Sequence, residues 1–88
     1  MTPEPGGTAP APWLLLSRPD CHLCEAFEAA LRVHLGPALP ALDYACVDER
    51  GEWRMRYGHR IPVLLDADGR VLAEGVFEAA AFERALRS

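Results

Sequence analysis

Hydrophobic and polar positions change period several times along this chain. Trp13-Leu14-Leu15-Leu16 is a short continuous apolar run, followed by Ser17 and broken by Arg18-Pro19-Asp20. Such a run predicts a central strand buried on both faces. From Cys21 the spacing lengthens. Leu23, Phe27, Ala30, Leu31 and Leu35 recur at three or four residues, with Glu25, Glu28 and Arg32 between them. That is an amphipathic helix, and Gly36-Pro37 stops it. Leu42 to Val47 returns to alternation, with Leu42, Tyr44 and Cys46 on one face and Asp43 and Ala45 on the other.

Asp48 to Tyr57 is short and charged. Trp53 and Tyr57 lie one helical turn apart and Gly58 can close the turn, which predicts a brief second helix. Ile61 to Leu65 and Arg70 to Ala73 read as strands on either side of Asp66-Ala67-Asp68-Gly69, a turn sequence. Glu78 to Arg87 is helical, with Phe82 and Leu86 spaced by four. The order is β-α-β-α-β-β-α. Strand–helix–strand implies a parallel pair with a right-handed crossover, and the tight turn implies an antiparallel hairpin. Together they predict an α/β domain, a four-stranded mixed sheet with flanking helices, over 13–88. Residues 1–12, rich in Pro, Gly, Thr and Ala, have little apolar mass to bury and read as a disordered tail.

Composition narrows the function classes. A chain of 88 residues is one small domain, and a net charge of −4 lacks the basic footprint that nucleic acid requires. No apolar stretch approaches transmembrane length, and the start of the chain lacks a secretory signal pattern. Three cysteines, an odd number, argue against an extracellular disulfide framework. The expectation is a cytoplasmic monomer with no membrane association.

The chemistry concentrates in Cys21-His22-Leu23-Cys24, at the junction of strand and helix. Two thiols three residues apart on a helix have Cα atoms about 5 Å apart, near the range a disulfide tolerates. Cys21 lies at the helix start, where unpaired N–H groups favour an anion, so the thiolate nucleophile is favoured there. Cys24 is more enclosed and suits a resolving role. Half a zinc site and coincidence are the competing readings. Zinc normally takes a second pair of ligands, and Cys46, His22, His34 and His59 form no second motif. Placement favours redox chemistry without metal.

The run Arg18-Pro19-Asp20-Cys21-His22-Leu23-Cys24, the triplet Ile61-Pro62-Val63 and the order of elements resemble the thioredoxin superfamily and its glutaredoxin-like branch. Tyr57 to Val63 is similar to a small bacterial glutaredoxin-like family. The resemblance runs from about Trp13 to the C-terminus and implies a thioredoxin fold. By the same resemblance Cys21 is the nucleophile, Cys24 the resolving thiol, and Pro62 a cis proline beside them. Ile61 would offer backbone groups to an extended substrate. Arg18 would meet a glutathione carboxylate, as a Lys does in many glutaredoxins. The implied activity is thiol–disulfide exchange on a disulfide-bearing protein or on glutathione as co-substrate, with no other cofactor. The alternatives are a metal or iron–sulfur carrier whose cysteines are ligands, and a module that only binds.

The chain departs from the pattern after the fourth strand. Glutaredoxins commonly carry Gly-Gly there and then an acidic residue, where this chain has Glu74-Gly75-Val76-Phe77-Glu78. His22, between the thiols, is expected to tune Cys21 modestly. Cys46 reads as a buried strand residue, and Trp53 with Tyr57 as core packing. Asp66 to Gly69 resembles the opening of a calcium loop but lacks the downstream Glu, so a hairpin turn explains it.

Overall fold

The structure, a computed structural model, describes residues 12–87. The tail expected over 1–12 lies, apart from its last residue, outside the described residues. The elements are β1 (Trp13–Ser17), α1 (His22–Leu35), β2 (Leu42–Cys46), α2 (Gly51–Tyr57), β3 (Val63–Leu65), β4 (Val71–Glu74) and α3 (Ala79–Arg87). Short 3-10 turns at Gly36–Ala38 and Val47–Glu49 follow α1 and β2. The sheet order is β2-β1-β3-β4, with β1 parallel to β2 and antiparallel to β3, and β3 antiparallel to β4. This is the thioredoxin fold that the resemblance implied.

Alternation along the strands sorts the apolar side chains into two layers. Leu15 and Leu64 face one side, where they pack with Phe27 and Leu31 of α1, Leu72 of β4 and Phe82 of α3. Leu16, Val63 and Leu65 face the other, with Val47 and Tyr57. β1 is central, which is why its run is apolar on both faces. Complete burial of one Phe or Leu side chain contributes about 1.5–3 kcal/mol, and Phe27, Leu31 and Phe82 are at most 1% exposed.

The helix and strand ends show where local chemistry decides. Gly36 caps α1 at φ +53°, a left-handed backbone that glycine adopts without a Cβ clash. Asp66 accepts the N–H groups of Asp68 and Arg70 on one carboxylate oxygen, which holds the hairpin turn with Gly69 at φ +85°. These bonds, led by that from Arg70, hold the Asp66 carboxyl below the ordinary carboxylate range. Two elements are shorter than the periodicity suggested. α2 starts at Gly51, because Val47–Glu49 forms a separate 3-10 turn with Glu49 accepting the Cys46 N–H. β3 starts at Val63, because Pro62 has no N–H for the ladder. Among the described residues no helix is long and apolar enough to cross a membrane.

Candidate functional site

The loop from Ser17 to Cys21 delivers the two thiols. β1 ends at Ser17, and Asp20 turns the chain at φ +58°, a conformation Asp tolerates better than most residues. Cys21 is then the N-cap of α1, with extended backbone (φ −97°, ψ 100°). Its sulfur accepts the backbone N–H of Cys24 at 3.1 Å. A helix leaves its first N–H groups without backbone partners, and here a sulfur takes one of them. Cys21 and Cys24 are joined as a disulfide with Cα atoms 5.2 Å apart. The two cysteines are not equally exposed. Cys24 is 6% exposed, whereas Cys21 is half-buried.

The sheet register brings the proline loop to the same end. β1 and β3 pair as Leu16 with Val63, so the next step of the register sets Pro62 across from Ser17. The Ile61–Pro62 peptide is cis, and the Pro62 carbonyl accepts the Gly75 N–H at 2.8 Å. Ile61 lies just outside the ladder and is half-buried.

Arg18 spans the gap between the thiol loop and the α2 side. Its Nε and Nη2 donate to the two carboxylate oxygens of Asp48, at 2.8 and 3.0 Å, and Nη1 donates to the Gly58 carbonyl at 2.8 Å. The guanidinium holds the Asp48 carboxyl below the usual carboxylate range, and Asp48 raises Arg18 in return. Gly58 has to be small here: a Cβ would lie 2.5 Å from the Arg54 carbonyl oxygen and 3.4 Å from Arg18 Nη2. On the other side of the proline loop, Arg60 forms a second forked pair with Glu74 and also donates to the Arg56 carbonyl.

A cleft of about 100 Å³ opens onto the disulfide. Leu15 lies beneath it, and Cys21, Cys24, Glu28 and Tyr44 line it. Ser17, Arg18, Asp20 and Glu25 also line it. Tyr44 pairs in register with Leu15 and donates to Glu28, which also receives Arg32 Nε at 3.0 Å. Desolvation, then the bond to Glu28, raises the Tyr44 phenol above its ordinary value. His22 is 97% exposed, with Nδ1 3.8 Å from Glu25.

Sequence-predicted positions thus divide. Cys21, Cys24 and Arg18 line one cleft; Ile61 and Pro62 lie on the neighbouring strand connection at the same sheet end; His22 points to solvent. Cys46 is half-buried rather than buried, because β2 is an edge strand, and its sulfur lies 4.0 Å from Asp48. Asp48, Gly58, Glu28 and Tyr44 were not foreseen as parts of the site. The one local signal for any of them is the four-residue spacing of Glu28 from Cys24, which sets both on one helix face. Among the described residues, no three His, Cys, Asp or Glu side chains gather so as to hold a metal ion.

Residues 13–84 match the family described as Glutaredoxin-like domain (DUF836). No curated protein matches the chain. Among solved structures, the chain resembles a Nitrosomonas europaea protein determined by solution NMR. Their TM-score is 0.74 and identity 23%, covering 92% of this chain and 96% of that one. It also resembles an X-ray structure of an X. campestris protein, with a TM-score of 0.62 and 32% identity, covering 85% of this chain and 95% of that one. The fold, the paired thiols at a helix N-cap and the match over 13–84 lead to one conclusion: the chain belongs to the glutaredoxin-like (DUF836) family.

Proposed function

We propose that this protein is a thiol–disulfide oxidoreductase that works through Cys21 and Cys24. The observation that carries the reading is the unequal pair at the N-cap. Cys21 is the more exposed residue and its sulfur accepts the Cys24 N–H, while Cys24 is nearly enclosed. A hydrogen-bond donor and the positive end of a helix both favour a thiolate at Cys21 in the reduced protein.

The reaction runs in two exchanges. Cys21 thiolate attacks one sulfur of a substrate disulfide, forming a Cys21–substrate mixed disulfide and releasing the other sulfur as a thiolate. Cys24, deprotonated, then attacks the Cys21 sulfur. The Cys21–Cys24 bond forms and the second substrate thiolate leaves. The substrate gains two electrons, the protein loses two, and solvent supplies the protons that the released thiolates take up. Glutathione or a reductase returns the pair to dithiol. Ile61, next to Pro62 and outside the ladder, offers backbone groups against which an extended substrate segment can align. A reducing compartment such as the cytoplasm suits this cycle.

The test is reduction of a mixed-disulfide peptide, followed by mass spectrometry. Cys21→Ser loses turnover, and Cys24→Ser accumulates the mixed disulfide on Cys21. Full activity of Cys21→Ser would overturn the assignment.

A further inference from the structure

The charges around the disulfide are distributed unevenly, and this bears on which disulfides the site accepts. Arg18 and Arg60 carry the forked cations next to the thiol loop and the proline loop. Both forks are spent inside the protein, Arg18 on Asp48 and the Gly58 carbonyl, Arg60 on Glu74 and the Arg56 carbonyl. Three of the five N–H donors of each guanidinium are thus engaged and its charge is offset by a paired carboxylate, which weakens its pull on an incoming one. The opposite sign is available. Asp20, Glu25 and Glu28 line the cleft onto which the disulfide opens, together with the paired Arg18. Glu25 is 74% exposed and, among the described residues, pairs only with His22, at 3.8 Å. Glu28 receives both Tyr44 and Arg32 on Oε2, which leaves Oε1 without a hydrogen bond among the described residues.

We infer that the exchange site selects polypeptide disulfides that carry a cationic side chain next to the cysteine, over anionic disulfides such as that of glutathione. This rests on the exchange activity proposed above and specifies its substrate class. Asp20 and Glu25 are its specificity-determining residues. A Lys or Arg beside the substrate sulfur falls near the carboxylates that line the cleft as that sulfur meets Cys21. A carboxylate there meets like charge and two arginines already paired. Charge complementarity of this kind acts mainly on the association rate and fades with salt.

The experiment uses the full chain and three disulfide-linked peptides that differ only in the residue flanking cysteine: Lys, Gln or Glu. Glutathione disulfide is a fourth substrate. At low ionic strength, the expected result is reduction of the Lys peptide on the order of 10-fold faster than the Glu peptide, the lower end for electrostatic steering. The Gln peptide falls between them. At 1 M salt, where screening acts within about 3 Å, the ratio falls toward one. Asp20→Asn, which suits the left-handed backbone at that position, and Glu25→Gln each lower the Lys-to-Glu ratio. The ratio is the right readout because a change in Cys21 acidity alters both rates together. Equal rates for the peptides, or faster reduction of the Glu peptide or of glutathione disulfide, overturn the inference while leaving exchange intact. A wild-type protein that reduces none of the four overturns the activity and the inference together.

Discussion

Opening the Cys21–Cys24 bond should cost the fold little. The perturbation is reduction by a phosphine, which leaves no thiol adduct. A cross-link stabilises chiefly by restricting the unfolded chain, and the restriction grows with the logarithm of loop length. Here the cysteines are separated by only 3 residues in sequence. The loop-entropy relation then gives about 2 kcal/mol as the whole chain-entropy contribution of the bond. Two features reduce the loss: the Cys24 N–H continues to donate to Cys21, and the helix start favours the thiolate that reduction creates. Cys24 is itself buried, but neither apolar layer includes either cysteine, so both layers keep their packing when the bond opens. For a domain of this size about 1 kcal/mol corresponds to roughly 4–8 °C in Tm, so reduction should lower Tm by no more than about 8–16 °C. Differential scanning calorimetry of the oxidised and reduced forms measures this; Cys21→Ala/Cys24→Ala, which removes the Cys21 cap along with the bond, should lose more than reduction does. A reduced protein that is unfolded at 25 °C, or a fall beyond about 25 °C, would refute the reasoning. The bond would then be a structural staple, unsuited to a cycle that opens it at every turnover.

Two further outcomes follow from the surrounding structure. Arg18→Ala should let the Asp48 carboxyl titrate back up toward 3.8, read by carbon-13 NMR; an unmoved Asp48 would contradict the bidentate pair. The sign is that of a depressed carboxylate. The pair's stabilisation is present above pH 3.8 and is lost as pH falls through the lowered value in the folded protein. Phe82→Ala, at a side chain with no exposure, should cost about 3–5 kcal/mol in urea unfolding. A cost under about 1 kcal/mol would mean that α3 is not held by that layer.

Much of the fold was legible because period and burial coincide here. Trp13 to Leu16 announced a central strand, and Gly36-Pro37 marked the end of α1 to the residue. The strand around Ile61 was legible as apolar, but not its start, since periodicity is blind to the missing proline N–H. The reacting pair was legible because its spacing is local. Its surroundings were not. Asp48 lies 30 residues from Arg18 and Gly58 lies 40 away, and no local pattern links a guanidinium to partners brought in by tertiary packing. Arg18 illustrates the difference. The resemblance suggested, from its position three before Cys21, a grip on an external carboxylate; in the fold it holds an internal one, Asp48. Tyr44 was assigned to a strand face correctly, but not to a cleft, because the crossover decides which helix lies over that face.

The division of the interior by the sheet has a dynamic consequence. The helix that bears the disulfide rests on one layer, through Phe27 and Leu31, whereas α2 rests on the other, through Tyr57 and Val47. The two layers share no side chain. Local opening proceeds in such cooperative units, each at its own free energy below that of global unfolding. The α2 layer, on a helix of 7 residues, is the smaller unit. Its opening would uncover the connection through Ile61 and Pro62 while the layer beneath Cys21 stays closed. Arg18 bridges the units, so breathing on the α2 side pulls on the loop that carries the nucleophile. Amide exchange should therefore report two populations of protection in one small domain, divided by the plane of the sheet.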